Sequence, residues 1–241
     1  MAQSVDAAEE RIAERKTVVY KTLVDPTTVK LTGEKEKIKL FTKMGFLKPK
    51  PEEIQCESIE KYYEPYIVVN GKYTIDYYRG HIYTLEVDED VQELVIFGQV
   101  LKPEAPRLAK VRGGGKAVKL ETEQRLLHEA TIYLILDKEG REVKLKRLPS
   151  APSEEKPEKV LAEHGERVRQ LKVPPERAIR TVRSKIVRKP SDAERITREL
   201  FEVSEYAVVY TPVYEAAYKN TKTGKTRVLR VDGVTCKVIK P

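Results

Sequence analysis

Nine basic side chains crowd one short stretch of the chain: Arg167, Arg169, Lys172, Arg177, Arg180, Arg183, Lys185, Arg188 and Lys189, with Glu176 the single acid among them. The local surplus of eight equals the formal net charge of the whole chain, +8, so the charge is concentrated rather than spread. Guanidinium groups bind phosphate through paired N–H donors, and each phosphate they neutralise releases condensed counterions. These nine residues are therefore the expected nucleic-acid-binding set. The competing reading is a solvated helical face whose arginines pair with glutamates from elsewhere in the fold.

A second group is aromatic. Tyr62, Tyr63, Tyr66, Tyr73, Tyr77, Tyr78 and Tyr83 are interleaved with Lys61, Lys72 and Arg79. Exposed on a sheet they would stack single-stranded bases. Alternating inward, they would pack a core with their hydroxyls at the rim, and the absence of an RNP-like motif favours that reading.

Catalytic chemistry finds no candidates. His81, His128 and His164 stand in unrelated elements without ligand-spaced partners, so no metal site is expected. The run GGGK at 113–116 lacks the earlier glycine and the following hydroxyl of a P-loop, since Lys110 and Ala117 occupy those places. No nucleophile elbow or dinucleotide-binding glycine pattern occurs. Asp76, Asp88 and Asp232 read as turn or strand-face residues. No catalytic residue and no cofactor is expected.

The elements that must position these residues follow from pattern. Residues 1–16 are charged, lack the apolar core of a signal peptide and read as a short helix. Residues 17–23 read as a strand ending in the Asp25-Pro26 turn. Residues 35–62 are ambiguous, with a turn or two of helix within 52–62. Asn70-Gly71 signals a two-residue hairpin, because both central positions of a type I′ turn need positive φ. Beyond it, Tyr73, Ile75 and Tyr77 alternate with polar residues, Tyr83, Leu85 and Val87 alternate again, and 91–100 supplies a further strand.

A loop spans 103–116, and a hairpin turns at 137–140. The stretch 148–157 carries three prolines and two serines without periodicity. Helices are expected at 157–171 and 175–187, the second with Ile179, Val182 and Ile186 inward and Arg177, Arg180 and Arg183 outward. Ser191 and Glu194 form a capping box for a third helix carrying Ile196, Leu200 and Val203. Three strands close the chain.

The ending VDGVTCKV at 231–238, with a helix and strands before it, resembles the PepSY-type, cystatin-like unit. The last hairpin of that family often reads Val-Asp and then Thr-Gly-Lys-Val, and Cys236 stands where glycine is usual. The resemblance covers about fifty residues. It implies a helix-and-sheet fold and a protein-binding or inhibitory module, often outside the cell membrane.

The expectation is thus an α+β protein. An antiparallel β-rich domain spans 1–148 and a linker 149–157. A smaller domain at 158–241 would pack helices on a three-stranded antiparallel sheet. Cys56 and Cys236 form no disulfide framework and no apolar run approaches a membrane span, which points to the cytoplasm. Abundant Lys, Arg and Glu with two asparagines and no tryptophan fits a thermophile-like surface. The expected function is non-enzymatic binding of nucleic acid or a ribonucleoprotein by the basic segment. The alternative is a protein adaptor or scaffold meeting an acidic partner.

Overall fold

A computed structural model describes residues 8–42, 49–104, 115–145 and 147–239. The protein is mostly β: strands take 51% of the chain and helices 19%. This corrects the expected α+β class. Strands β3 (Ile54–Val87), β6 (Lys116–Leu136), β7 (Arg195–Asn220), β8 (Thr226–Asp232) and β9 (Val238–Ile239) form one sheet in the order β6-β3-β7-β8-β9. Two short strands, β1 (Glu9–Ile12) and β2 (Lys16–Val19), also pair with β7. The expected C-terminal domain of helices on its own three-stranded sheet does not form, because β7, β8 and β9 belong to this larger sheet. The PepSY-like architecture goes with it.

The chain divides into two compact units, each assembled from three separate stretches. The larger comprises Arg11–Lys72, Thr131–Ile186 and Glu202–Pro241; the smaller comprises Met1–Glu10, Tyr73–Ala130 and Val187–Phe201. Strands β3, β6 and β7 each contribute residues to both.

In the larger unit β7 is the central strand. It pairs in parallel with β2, Lys16 opposite Ala207 through Val19 opposite Tyr210, and antiparallel with β8, Val213 opposite Asp232 through Lys219 opposite Thr226. Its inward side chains Tyr214, Ala216 and Tyr218 join Val24, Val29, Ile54, Leu229 and Val231 in a core cluster. Helix α1 (Pro26–Phe41) closes that cluster with Ile38, Leu40 and Phe41. The helix begins at Pro26 because proline loses nothing in the first turn and because Asp25 caps it. One Asp25 oxygen accepts from the Thr27 and Thr28 N–H groups at 2.8 and 3.0 Å, the other from the Thr28 hydroxyl at 2.6 Å. Gly33 lets α1 lie close, since a Cβ there would stand 1.9 Å from the Tyr218 hydroxyl.

Those hydrogen bonds, the Thr28 hydroxyl first, hold the Asp25 carboxyl below its ordinary value. A pKa depressed by folding adds stability above the unfolded carboxylate pKa and loses it as pH falls through the folded one. Asp25→Ala is therefore expected to destabilise the protein at neutral pH, with the gap to wild type closing as pH falls below about 3.9. Urea unfolding at several pH values checks this. A gap that stays constant into strong acid would remove the carboxylate from the account.

Helices α2 (Pro157–His164) and α3 (Glu176–Ile186) lie in the same unit. The stretch 149–157 before α2 runs beside β2: the Lys21 N–H donates to the Pro152 carbonyl and the Glu154 N–H to that of Val19.

In the smaller unit, partners along β3 and β6 run in opposite senses: Thr74 meets Glu129, Asp76 meets Arg125, Arg79 meets Gln124 and the His81 carbonyl meets Thr122. This is an antiparallel ribbon. Residues 195–201 of β7 flank β3 on its other side, with the Thr197 hydroxyl on the Asp76 carbonyl. Strands β4 (Leu94–Ile96) and β5 (Gln99–Leu101) make a hairpin turning at Phe97 and Gly98, whose φ of 49° and 78° are those of a type I′ turn.

Five local expectations are corrected. Residues 9–12 form β1 rather than part of a helix, while 1–7 lie outside the described residues. Residues 91–100 hold most of a hairpin rather than one strand. Asn70-Gly71 lies within β3 and makes no turn. The residues expected as a third helix begin β7. Its would-be capping Glu194 serves β3 instead, its Oε1 accepting the Gly80 N–H at 3.0 Å, and the neighbouring Asp192 holds Arg79 at 2.8 Å. Likewise 54–62 is strand, with only a 3-10 turn at Pro51–Glu53 before it.

Candidate nucleic-acid interface

Helix α3 begins at Glu176, directly after Pro174-Pro175, where the missing proline N–H costs nothing. Its buried face is Ala178, Val182 and Ile186, with Ile179 half-buried beside them. Arg177, Arg180 and Arg183 are exposed on the remaining surface. At spacings of three they are neighbours one turn apart. Arg177 and Arg180 make no ion pair among the described residues, while Arg183 is engaged in an interaction of its own.

The other predicted residues fare differently. Arg169 is held by Glu215 at 3.0 Å, with its guanidinium 4.2 Å from the Tyr62 ring centre. Lys172 meets Glu139 at 3.2 Å, and Lys185 meets Glu142. Both acids come from the turn after β6. Lys189 is held at 2.6 Å by Glu199, a buried carboxylate that also accepts from the Tyr73 hydroxyl at 3.1 Å. Arg167 and Arg188 are exposed and make no ion pair among the described residues. Seven of the nine belong to the larger unit, and Arg188 and Lys189 to the smaller.

Of the tyrosines, Tyr63, Tyr73 and Tyr77 are buried, Tyr62, Tyr66 and Tyr78 half-buried, and Tyr83 exposed. Burial first, and the Glu199 charge second, push the Tyr73 phenol well above its ordinary pKa. The buried three cannot offer a face to a base. His81 lies edge-on to Tyr83 and His164 edge-on to Tyr63. Lys116 opens β6 and donates to the Val91 carbonyl at 3.1 Å, whereas Gly113 and Gly114 lie outside the described residues.

Sequence reasoning missed the densest electrostatic feature of the larger unit. Glu64, its side chain 8% exposed, holds Lys138 at 2.8 Å and Arg230 at 2.9 Å. Arg230 also meets Glu215 at 3.4 Å, and Glu215 meets Arg169. Three cations and two carboxylates thus alternate in one chain. The available signal was an acid set among Tyr63, Pro65, Tyr66 and Ile67, where an unpaired charge would be costly to bury.

Among the described residues, no three His, Cys, Asp or Glu side chains converge as metal ligands, and no helix is long and apolar enough to cross a membrane. No family model matches the chain, and neither a curated protein nor a solved structure matches it.

Proposed function

We propose that this chain is a non-enzymatic binding protein that docks on nucleic acid or a ribonucleoprotein through the outer face of α3. The observation behind this reading is that Arg177 and Arg180 project from one helical face without a carboxylate partner among the described residues. Arg167 adds a further exposed cation in the same unit. Arg169, Lys172 and Lys185 contribute less, because their charges are already offset by Glu215, Glu139 and Glu142. Affinity is then mainly electrostatic, with little discrimination between sequences. The free thiols of Cys56 and Cys236 suit a reducing compartment, and we place the protein in the cytoplasm.

A protein-adaptor role is the second reading. The β4–β5 hairpin favours it, with Phe97 fully exposed at the tip between exposed Val95 and Val100.

Anisotropy titration of labelled single- and double-stranded DNA and RNA at several salt concentrations separates the two. Arg177→Glu/Arg180→Glu is expected to weaken binding at least about tenfold at low salt. It should also flatten the logarithmic salt slope by about 1.8 on duplex DNA, the share of two phosphate contacts. Lys185→Gln, whose amine is occupied by Glu142, should change little. No binding at low salt by folded protein, or binding indifferent to the arginine reversals, would transfer the argument to the exposed hairpin.

A further inference from the structure

A cleft of about 630 Å³ opens in the larger unit between the end of α1, the 3-10 turn at Pro51–Glu53 and the β7–β8 turn. Its apolar wall is Leu40, Phe41 and Pro49; Leu40 and Phe41 also pack on the core cluster beneath α1. Its rim carries Lys50, Lys222, Lys225 and Arg227 against one carboxylate, Glu53. Glu53 lies 3.9 Å from Lys222 and accepts the Lys50 backbone N–H at 3.3 Å. Lys50, Lys225 and Arg227 make no ion pair among the described residues.

The turn that carries Lys222 and Lys225 and leads into Arg227 at the start of β8 is locked. Asn220, 5% exposed, turns its side-chain oxygen onto the Lys222 and Thr223 N–H groups at 3.1 and 2.9 Å. Its backbone N–H donates to the Lys225 carbonyl, its carbonyl accepts from Gly224, and Gly224 takes the left-handed φ of 69° that the turn demands. Thr221 pins the turn to the 3-10 segment, its N–H and hydroxyl both donating to the Glu53 carbonyl at 2.8 and 3.2 Å. Cations held in place before a ligand arrives lose little freedom on binding, so more of their attraction appears as affinity.

We propose that this cleft binds a small phosphate monoester with a ring-sized apolar body, of which a nucleoside monophosphate is the simplest kind. The Arg227 fork and the Lys225 amine meet the phosphate, and the body lies against Leu40, Phe41 and Pro49. The volume lies within the range of about 300–1,000 Å³ typical of small-molecule sites and far exceeds what a lone phosphate fills. The cation excess selects an anion, arginine suits the paired oxygens of phosphate, and the apolar wall gains from a body that water alone would leave exposed. The site shares no residue with α3, so the inference stands apart from the nucleic-acid reading.

Isothermal titration of the full chain with adenosine 5′-monophosphate, inorganic phosphate and adenosine, each separately, tests it. The nucleotide is expected to bind at least about tenfold more tightly than either part, since each part forgoes half of the contacts. Lys225→Glu/Arg227→Glu, both exposed positions, should abolish that difference while leaving the circular dichroism unchanged. Arg177→Glu/Arg180→Glu should leave nucleotide binding intact. Nucleotide binding no tighter than phosphate alone would overturn the proposal. So would an equal loss in the α3 variant, which would mean attraction to net charge and not to this cleft.

Discussion

Glu64→Leu is expected to lower the unfolding free energy of the larger unit by about 3 kcal/mol, the lower end of what breaking a buried ion pair costs. The side chain is 8% exposed and its two oxygens are taken by Lys138 and Arg230. Removing the carboxylate leaves two cations facing each other with the intervening negative charge gone. They are 25% and 33% exposed and recover part of their hydration, which keeps the loss near the lower end. Glu64→Gln retains an acceptor and should cost less. Lys138→Met should cost least, because the carboxylate keeps Arg230. Urea midpoints at constant slope, with hydrogen exchange of the β8 amides, would rank the three. Equal small effects, within about 1 kcal/mol of wild type, would mean that water screens the network as it does surface pairs.

What could be read in advance was what local chemistry decides. Helix α3 begins directly after Pro174-Pro175 and ends before Pro190, and its inward stripe was visible at Val182 and Ile186. The turn at Asp137–Gly140 was legible because aspartate there accepts from the Glu139 and Arg141 N–H groups and Gly140 takes a φ of 77°. Asn220 and Gly224 announced the β7–β8 turn in the same way. Alternation at Tyr73, Ile75 and Tyr77 marked an inward face.

What local chemistry does not decide was lost. Ser191 and Glu194 have the spacing of a capping box, but their segment meets β3, and Glu194 binds the Gly80 N–H across 114 positions. Ile196, Thr197, Val203, Val208 and Val209 then favour extended backbone in a sheet, where β-branched side chains pack well. The acids that offset three of the nine basic residues are also remote. Glu139 is 33 residues from Lys172, Glu142 is 43 from Lys185, and Glu215 is 46 from Arg169. A charge run shows its own composition and not the fold around it. The same holds for the cleft, whose wall at Leu40, Phe41 and Pro49 is remote in the chain from Lys222, Lys225 and Arg227 on its rim.

Gly71→Ala is expected to destabilise the larger unit by about 2 kcal/mol, from overpacking. The sign discriminates between two roles for this glycine. In a strand interior without neighbours, alanine would be favoured over glycine by about 0.5–1 kcal/mol, because it has less backbone freedom to lose. Gly71 lies within β3 and its φ is not in the left-handed region, so no turn requires it. What requires it is α3: a Cβ at this position would stand 2.4 Å from Val182 Cγ1 and 3.7 Å from Ile186 Cδ1. Val182 is fully buried and, being β-branched, is stiff about χ1, so the methyl cannot swing aside. The helix must lift or the strand must bend. Val182→Ala removes the obstructing methyl, so the double variant should be more stable than the sum of the single losses predicts, by at least about 1 kcal/mol. Additive losses would place the strain elsewhere, and a Gly71→Ala protein as stable as wild type would deny the close approach of α3 to β3. Because Arg177 and Arg180 ride on that helix, the same contact seats the proposed binding face. Gly71→Ala should therefore weaken nucleic-acid binding more at temperatures near its melting transition than at low temperature, whereas the arginine reversals should weaken it at both.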